Sequence, residues 1–517
     1  MNTLISFLIC AVLISQILGA KILAFFPTPS ISHQTPFRPL TQELAKRGHE
    51  VIVITPDPAF PKGKTPANLT EIDVHDISYS KWYELYDLLP PGKTDLIAQM
   101  KPTFIALSDI VEIQLKVPEV QLMIKEEKFD LIFVEACTRS ALVVTHIFKA
   151  PVIQLGTFGF INFNIDTVGA SKHPLLYPHI LSRRTYDLSK WEKISAVWNY
   201  LRFEKMTYDI TKLERAMVRR IFGENVPTIN ELENNVDMMF LNTHPVWADN
   251  RPVPPNVVYM WGINEQPTKE LPTELKNYLD SSKNGVIYMS LGTNVKPSML
   301  QPEKIQMLIR VFSKLPYNVL WKWDLEELPG RAENIRISKW LPQNDLLRHP
   351  KIKVFITQGG LQSTEEAIAA GVPMIGIPIL GDQWYNVEKY VYHKIGLNLD
   401  FSSLTEDRFS NAIETVIEDE SYRRNIARLY NLMHDDPQSP LERAVWWTEY
   451  VLRHEGAKHL RSPAANITYA KYFELELVLI LLFTFLLISC GILLLVCNIC
   501  QCFRKSLHEK KIKKKNT

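Results

Sequence analysis

Apolar residues in this chain fall into short unbroken runs, separated by stretches in which they recur every three or four positions. That alternation marks buried parallel strands joined by amphipathic helices. Ile22 to Phe26 is one run and Val51 to Ile54 the next; between them Phe37, Leu40 and Leu44 keep helical spacing until Gly48 ends the helix. Phe129 to Val134 predicts a further strand, with Glu135 at its carboxyl end. In the second half, Val286 to Met289 and Lys353 to Thr357 predict strands. Gly359 and Gly360 make a tight exit, Ser363 to Ala370 a helix stopped by Gly371, and Pro373 to Pro378 another strand. Leu441 to Arg453 reads as a late amphipathic helix. Each half is therefore expected to be a Rossmann-like α/β domain. The proline-rich stretch Arg251 to Pro255 and the polar stretch Pro267 to Lys283 put the linker between them.

Composition adds a membrane element. The chain has 517 residues, 46% apolar and 22% charged, enough for two large domains. Leu4 to Leu18 is apolar and ends in Gly19-Ala20, which predicts a cleaved signal peptide or, alternatively, an uncleaved anchor. Leu477 to Cys497 is free of charge, and at about 1.5 Å per residue it is long enough for one membrane crossing. Behind it Arg504, Lys505, Lys510, Lys511, Lys513, Lys514 and Lys515 face Glu509 alone, which places the tail in the cytoplasm and all that precedes the span in the lumen. Lys514 and Lys515 resemble a dilysine address for the endoplasmic reticulum, with a plain basic stop-transfer tail as the alternative. The expected organisation is signal peptide 1–20, first domain 21–265, linker 266–285, second domain 286–460, juxtamembrane segment 461–476, transmembrane helix 477–497 and tail 498–517.

Net charge is +2, so nothing points to nucleic acid. Cys10 lies in the signal, and Cys490, Cys497, Cys500 and Cys502 in or beneath the membrane, which leaves Cys137 alone in the lumen and no internal disulfide. Cys497, Cys500 and Cys502 are either acylation sites or plain thiols. Asn68 and Asn466 head glycosylation sequons.

The candidate chemistry sits at strand ends. Glycines after Thr357 let backbone approach an anion, and the following helix start favours a diphosphate. Gln358, Ser363, Glu366, Asp382 and Gln383 would converge on one crevice beyond the strands. Ser363 and Glu366 fit equally well as a capping box that satisfies the helix's own N–H groups. His33, in the loop after the first strand, can serve as a base near neutral pH, with Glu135 to hold its tautomer. Asp130 is the competing carboxylate, but it stands at the wrong end of its strand. No Asp-x-Asp motif occurs, so no bound metal is expected. Tyr186, Trp191, Trp198, Tyr200 and Phe203 could line an acceptor pocket, rest on a membrane or simply pack; the three readings stay open.

The ordered set Phe355-Ile356-Thr357-Gln358, Gly360, Ser363, Glu366, Pro373, Pro378 and Asp382-Gln383 resembles the signature of the UDP-glycosyltransferase family, in the wording of its arthropod members. Trp340-Leu341-Pro342-Gln343 is similar to that family's uracil platform, and Ser290-Leu291-Gly292 to its second phosphate loop. The resemblance covers nearly the whole mature chain. It implies a GT-B architecture, two facing Rossmann-like domains with the acceptor held by the first and a UDP-sugar by the second. Trp340 would stack on uracil, with its alternative a core tryptophan, and Gln343 would bond the nucleoside. Ser290, Gly292, Gln358, Gly360, Gln362 and Ser363 would surround the diphosphate, Glu366 would hold ribose, and Asp382 with Gln383 would hold the hexose. His33 with Glu135 would be the catalytic dyad of an inverting transfer. The sequence departs from the commonest pattern at Gln358, where a histidine is usual, at Gln362-Ser363 in place of Asn-Gly, and at Glu135 in place of aspartate. Implied partners are UDP-glucose as co-substrate rather than cofactor, a small lipophilic acceptor such as a phenol or polyketide, a membrane, and other copies or members in an oligomer. A membrane lipid or sterol as acceptor, or a noncatalytic binding protein of this fold, are the alternatives.

Overall fold

The computed structural model describes residues 19–88, 95–293 and 295–515, with side chains for all of these but 86–88 and 512–515. The expected signal peptide, apart from Gly19 and Ala20, lies outside the described residues. The first sheet has seven parallel strands: β1 (Lys21–Phe25), β2 (Glu50–Thr55), β3 (Leu69–Asp73), β4 (Leu131–Glu135), β5 (Val152–Gly156), β6 (Val236–Leu241) and β7 (Val257–Tyr259). They lie in the order β3-β2-β1-β4-β5-β6-β7. The second has six parallel strands: β8 (Val286–Ser290), β9 (Asn318–Lys322), β10 (Ile335–Ser338), β11 (Ile352–Thr357), β12 (Met374–Gly376) and β13 (Gly396–Asn398), ordered β10-β9-β8-β11-β12-β13. Their apolar runs are buried on both faces, as parallel sheets covered by helices require.

Both sheets reverse their winding once, between β1 and β4 and between β8 and β11. A crevice opens at such a point because consecutive crossovers depart to opposite sides, and ligands settle there beyond the carboxyl ends of the strands. At the carboxyl ends Phe25 lies opposite Val134 and Ser290 opposite Thr357. The dyad and donor candidates follow the carboxyl ends of β1, β4, β8, β10, β11 and β12.

Several boundaries differ from the sequence pattern. The strand expected from Pro373 to Pro378 is Met374–Gly376, and Pro378, without an N–H, cannot extend the ladder past Ile377, whose N–H donates to Thr357 O at 2.8 Å. The helix expected from Ser363 begins at Leu361, directly behind Gly360. Residues expected as linker include a helix, Thr273–Ser281, whose Leu275 and Leu279 pack into the core on the second sheet. The late helix, Pro440–Arg453, buries Ala444, Val445 and Val451 with β1, β2 and β4 residues, so the chain returns to the first sheet after completing the second.

The longest helix of this part, Lys190–Phe222, starts from a capping box in which Ser189 accepts from the Glu192 N–H and Glu192 accepts from the Ser189 N–H. Residues up to Ala465 form one compact unit, and those from Asn466 another. The second unit contains the helix Leu475–Lys515, of which Leu475–Lys511 is long and apolar enough to cross a membrane. Cys137 is buried and Cys490, Cys497, Cys500 and Cys502 are exposed, all as free thiols.

Candidate functional site

His33 lies in the short helix Ile31–Gln34 just after β1, and its Nδ1 is 2.6 Å from Glu135 Oε1 at the end of β4. β1 and β4 are neighbours, so the winding reversal itself brings the two residues together. Glu135 is fully buried, and its other oxygen accepts from the Thr28 N–H at 3.1 Å. Thr157 Oγ1 stands 3.4 Å from the same ring nitrogen, and Phe158 meets the ring edge-on. His33 Nε2 has no hydrogen-bond partner among the described residues. A carboxylate on Nδ1 holds the proton there, so Nε2 presents a lone pair to the cleft. The longer arm of glutamate therefore does not prevent the dyad. Asp130, at the other end of β4, accepts from the Lys21 N–H and is not available to His33.

Cys137 follows in the same loop, and its sulfur shares a space 4.8 Å across with ligand atoms of His33 and Glu135, the one such trio among the described residues. Burial pushes this thiol well up, so it is neutral. A divalent cation there would compete with the 2.6 Å hydrogen bond for the Glu135 carboxylate.

Across the interface, Asp382 begins the helix Gln383–Tyr392 after β12. Burial raises its carboxyl above the usual range, and the nearby His33 counteracts this, which places the ends of the two sheets in one electrostatic neighbourhood. Asp382 accepts from Asn386 Nδ2, which also donates to Gly359 O, while Asn386 Oδ1 accepts from Trp247 Nε1 of the first domain. Gln383 differs from expectation: its Oε1 is engaged by the Ile379 and Leu380 N–H groups, both at 2.7 Å, leaving only its amide protons for a sugar.

Two glycine loops meet around Gln358. Gly292 has φ 77°, and a methyl group there would lie 2.2 Å from Gln358 Nε2. Gly359, at φ 88°, would drive a methyl group into Val387. Gln358 is buried with its Oε1 unpartnered. Gly360 is the N-cap of Leu361–Ala370 and has no side chain to satisfy the first N–H groups, so they remain for an anion; Gln362 sits half-buried in that first turn. Ser290 is buried, its hydroxyl facing the Gly292 N–H.

The capping-box alternative for Ser363 and Glu366 fails. Both side chains instead accept from Gln343 Nε2, at 2.9 and 2.7 Å, and Gln343 Oε1 accepts from the Tyr288 hydroxyl at 2.9 Å. Gln343 thus fixes Glu366, and a direct bond from its side chain to a nucleoside would displace one of these contacts. Burial raises the Glu366 carboxyl to about 7, and the Gln343 amide opposes it. Trp340 is no core residue: it is 65% exposed.

Sequence reading missed Lys322. It closes β9, donates to Gly292 O at 3.0 Å, and stands 4.7 Å from the Trp340 ring. Its amine is lowered by burial but lies between the Gly292 loop and the exposed indole. A cation at a strand end of the second sheet was the available cue. Arg251 was also missed. It is buried in a cavity shared with Asp382, donates from one nitrogen to Tyr177 O and Pro178 O, and leaves Nη1 unpartnered among the described residues.

Comparison with known proteins gives this geometry its context. A family model described as "UDP-glucoronosyl and UDP-glucosyl transferase" matches residues 20–514. An ecdysteroid UDP-glucosyltransferase of Spodoptera littoralis nuclear polyhedrosis virus is 36% identical over 90% of this chain and 94% of its own length. UDP-glucosyltransferase 2 of Dactylopius coccus is 34% identical over 95% of the chain and 94% of its own length. Among solved structures, a UDP-glucose:anthocyanidin 3-O-glucosyltransferase in complex with UDP superposes with a TM-score of 0.56 at 17% identity, over 84% of this chain and 99% of that one. The fold is therefore GT-B.

Proposed function

The chain belongs to the UDP-glucuronosyl and UDP-glucosyl transferase family and is a glycosyltransferase; we propose that it moves glucose from UDP-glucose to a hydroxyl of a small lipophilic acceptor, with inversion at the sugar. The observation that carries this reading is the 2.6 Å His33 to Glu135 pair, with Asp382 of the second sheet near enough to feel the charge of the His33 ring. His33 Nε2 takes the acceptor proton as the oxygen attacks the anomeric carbon from the face opposite UDP. Glu135 stabilises the imidazolium that forms. Charge developing on the leaving diphosphate meets the N–H groups at the start of Leu361–Ala370 and the Lys322 ammonium, both positioned in advance. Lys322 supplies the positive charge that Gln358 lacks. A noncatalytic role would need a broken dyad, and the 2.6 Å His33 to Glu135 pair speaks against one.

Trp340 and Glu366 give two quantitative checks. Base stacking on an aromatic ring contributes about 1–3 kcal/mol, so Trp340→Ala should weaken UDP binding by about tenfold to a hundredfold in calorimetry. Ribose hydroxyls donate to an ionised Glu366 but not equally to a protonated one. With its carboxyl at about 7, uridine affinity should fall as pH drops from 8 to 6, by about tenfold at most, and Glu366→Gln should bind weakly with that pH dependence gone. Uridine is the probe because it has no phosphate to titrate.

We read the apolar helix as a membrane anchor of a luminal enzyme of the endoplasmic reticulum, with the basic tail cytoplasmic. Asn68 is exposed at φ 63°, and an endoglycosidase-sensitive mass increment lost in Asn68→Gln would place that domain in the lumen. The test of function is UDP release by membranes carrying the protein, supplied with UDP-glucose, UDP-glucuronate or UDP-galactose over phenolic, polyketide and ecdysteroid acceptors. The expected result is acceptor-dependent release with UDP-glucose. Release with UDP-glucuronate in preference would replace glucose by glucuronate as the donor sugar.

A further inference from the structure

Three side chains able to ligate a metal stand together at the dyad, and the transfer step uses only two of them. A ring nitrogen of His33, a carboxylate oxygen of Glu135 and Cys137 Sγ all lie within 4.8 Å of one another. The set assembles because β1 and β4 are paired neighbours and the three residues stand at or behind their carboxyl ends. Cys137 is 8% exposed and pairs with no other cysteine, and the proton transfer asks nothing of its thiol. Nitrogen, oxygen and sulfur in one small space are a donor set for zinc, which binds imidazole, carboxylate and thiolate and takes water as a fourth ligand. Ligand atoms around a tetrahedral zinc stand roughly 3.5 Å apart, so the 2.6 Å contact between His33 Nδ1 and Glu135 has to open by roughly 1 Å. The His33 side chain, carried on a short helix and 16% exposed, is the member best placed to yield.

We propose that His33, Glu135 and Cys137 form an inhibitory zinc site, in which the ion takes the place of the proton on His33 Nδ1 and so switches the base off. The proposal rests on the dyad reading of the transfer step and adds a regulation of the same site. An imidazole bound through Nδ1 keeps its one proton on Nε2, the nitrogen that has to take the proton of the acceptor hydroxyl. The ring proton thus moves from Nδ1 to Nε2, and the Cys137 thiol gives its proton to solvent as the sulfur binds. Glu135, drawn to the ion, no longer serves the imidazolium. The ion has no part in the reaction, which the metal-free dyad performs; it is a brake that a chelator releases. Sulfur in the donor set gives the site its selectivity, because Mg²⁺ and Ca²⁺ take oxygen ligands in larger shells.

The test uses the full chain with Cys490, Cys497, Cys500 and Cys502 changed to serine, so that the tail thiols are silent. Cobalt stands in for zinc, since a thiolate bound to it absorbs in the near ultraviolet. Cobalt should raise that band in this parent chain and zinc should remove it, while Cys137→Ser and Cys137→Ala should both lack it and bind UDP as before. UDP release from UDP-glucose, with the acceptor found in the functional test, should stop as zinc is added and return with chelator. Both variants should turn over near the parent rate and need about tenfold or more zinc for the same inhibition. No band, a band that persists in both variants, or equal inhibition of them by zinc overturns the proposal and leaves the dyad in place. A band that depends on Cys137, with release undiminished at saturating zinc, overturns the inhibition. Absence of release from the metal-free parent with any donor overturns the transfer reading, and this proposal with it.

Discussion

Replacing His33 by alanine should lower turnover by about a hundredfold to ten-thousandfold and leave the dissociation constant of UDP unchanged. The separation follows from where the groups stand. His33 comes from the first domain, after β1, and touches Glu135 and Thr157, whereas the cradle, Trp340 and Glu366 all belong to the second. The side chain is 16% exposed, and the space its truncation opens lies beside Glu135 and Phe158 of the first domain. Turnover measured with saturating UDP-glucose, beside calorimetry with UDP, reads the two quantities independently. Transfer near the wild-type rate would remove His33 from the mechanism, and lost UDP binding would show that the substitution disturbed the second domain.

Glu135→Gln should be nearly as damaging, although the side chain keeps its size. Glu135 accepts from the Thr28 N–H with one oxygen and pairs with His33 Nδ1 through the other. An amide has one acceptor and one donor end. With its oxygen kept on Thr28, its NH₂ points at Nδ1 and turns it into an acceptor. The ring proton then sits on Nε2, the nitrogen that must take the acceptor's proton. The reverse orientation sets two donors against each other at Thr28 in a fully buried place, which costs about 1–3 kcal/mol. The favoured orientation loses the base, the other is scarcely populated and brings no charge to the imidazolium, and a fall of about a hundredfold in kcat is expected, with KM for UDP-glucose nearly constant. Unchanged turnover would show that the carboxylate has no part in holding the tautomer.

The buried ion network around Arg139 illustrates what no spacing rule finds. Its guanidinium meets Glu233 at 2.5 Å and Glu214 at 3.2 Å, joining the helix Lys190–Phe222 to the loop after β4, and burial raises the Glu214 carboxyl to about 7. Lys389, fully buried at the domain interface, similarly donates to Asp249 at 2.6 Å and to the Tyr186 hydroxyl at 2.7 Å. Burial lowers its amine to about 8, and Asp249 pulls it back. In the sequence these residues are ordinary charges on polar stretches.

Sequence alone determined the features that depend on near neighbours. Runs of buried residues at β1, β4, β8 and β11 announce strands because a strand covered on both faces has no polar side. Gly359 announces a close approach because a side chain there would collide with Val387. The span from Leu477 to Cys497 announces itself by the absence of charge. From strand ends followed the positions of His33, Glu135, Asp382 and the cradle, since ligands in such sheets gather at one end. Tertiary structure decided which partners these side chains took. Ser363 and Glu366 have the spacing of a capping box, yet both turn to Gln343, 20 residues or more away along the chain. Gln343 in turn is held by Tyr288 at a separation of 55. Lys322 joined the site because β9 lies beside β8, and the helix Pro440–Arg453 went back to the first sheet because that sheet still had an apolar face to cover. Periodicity reports which face of an element is apolar, through residues three or four apart. What that face meets is set by strand order and crossover direction, and no local pattern encodes a contact closed over hundreds of residues.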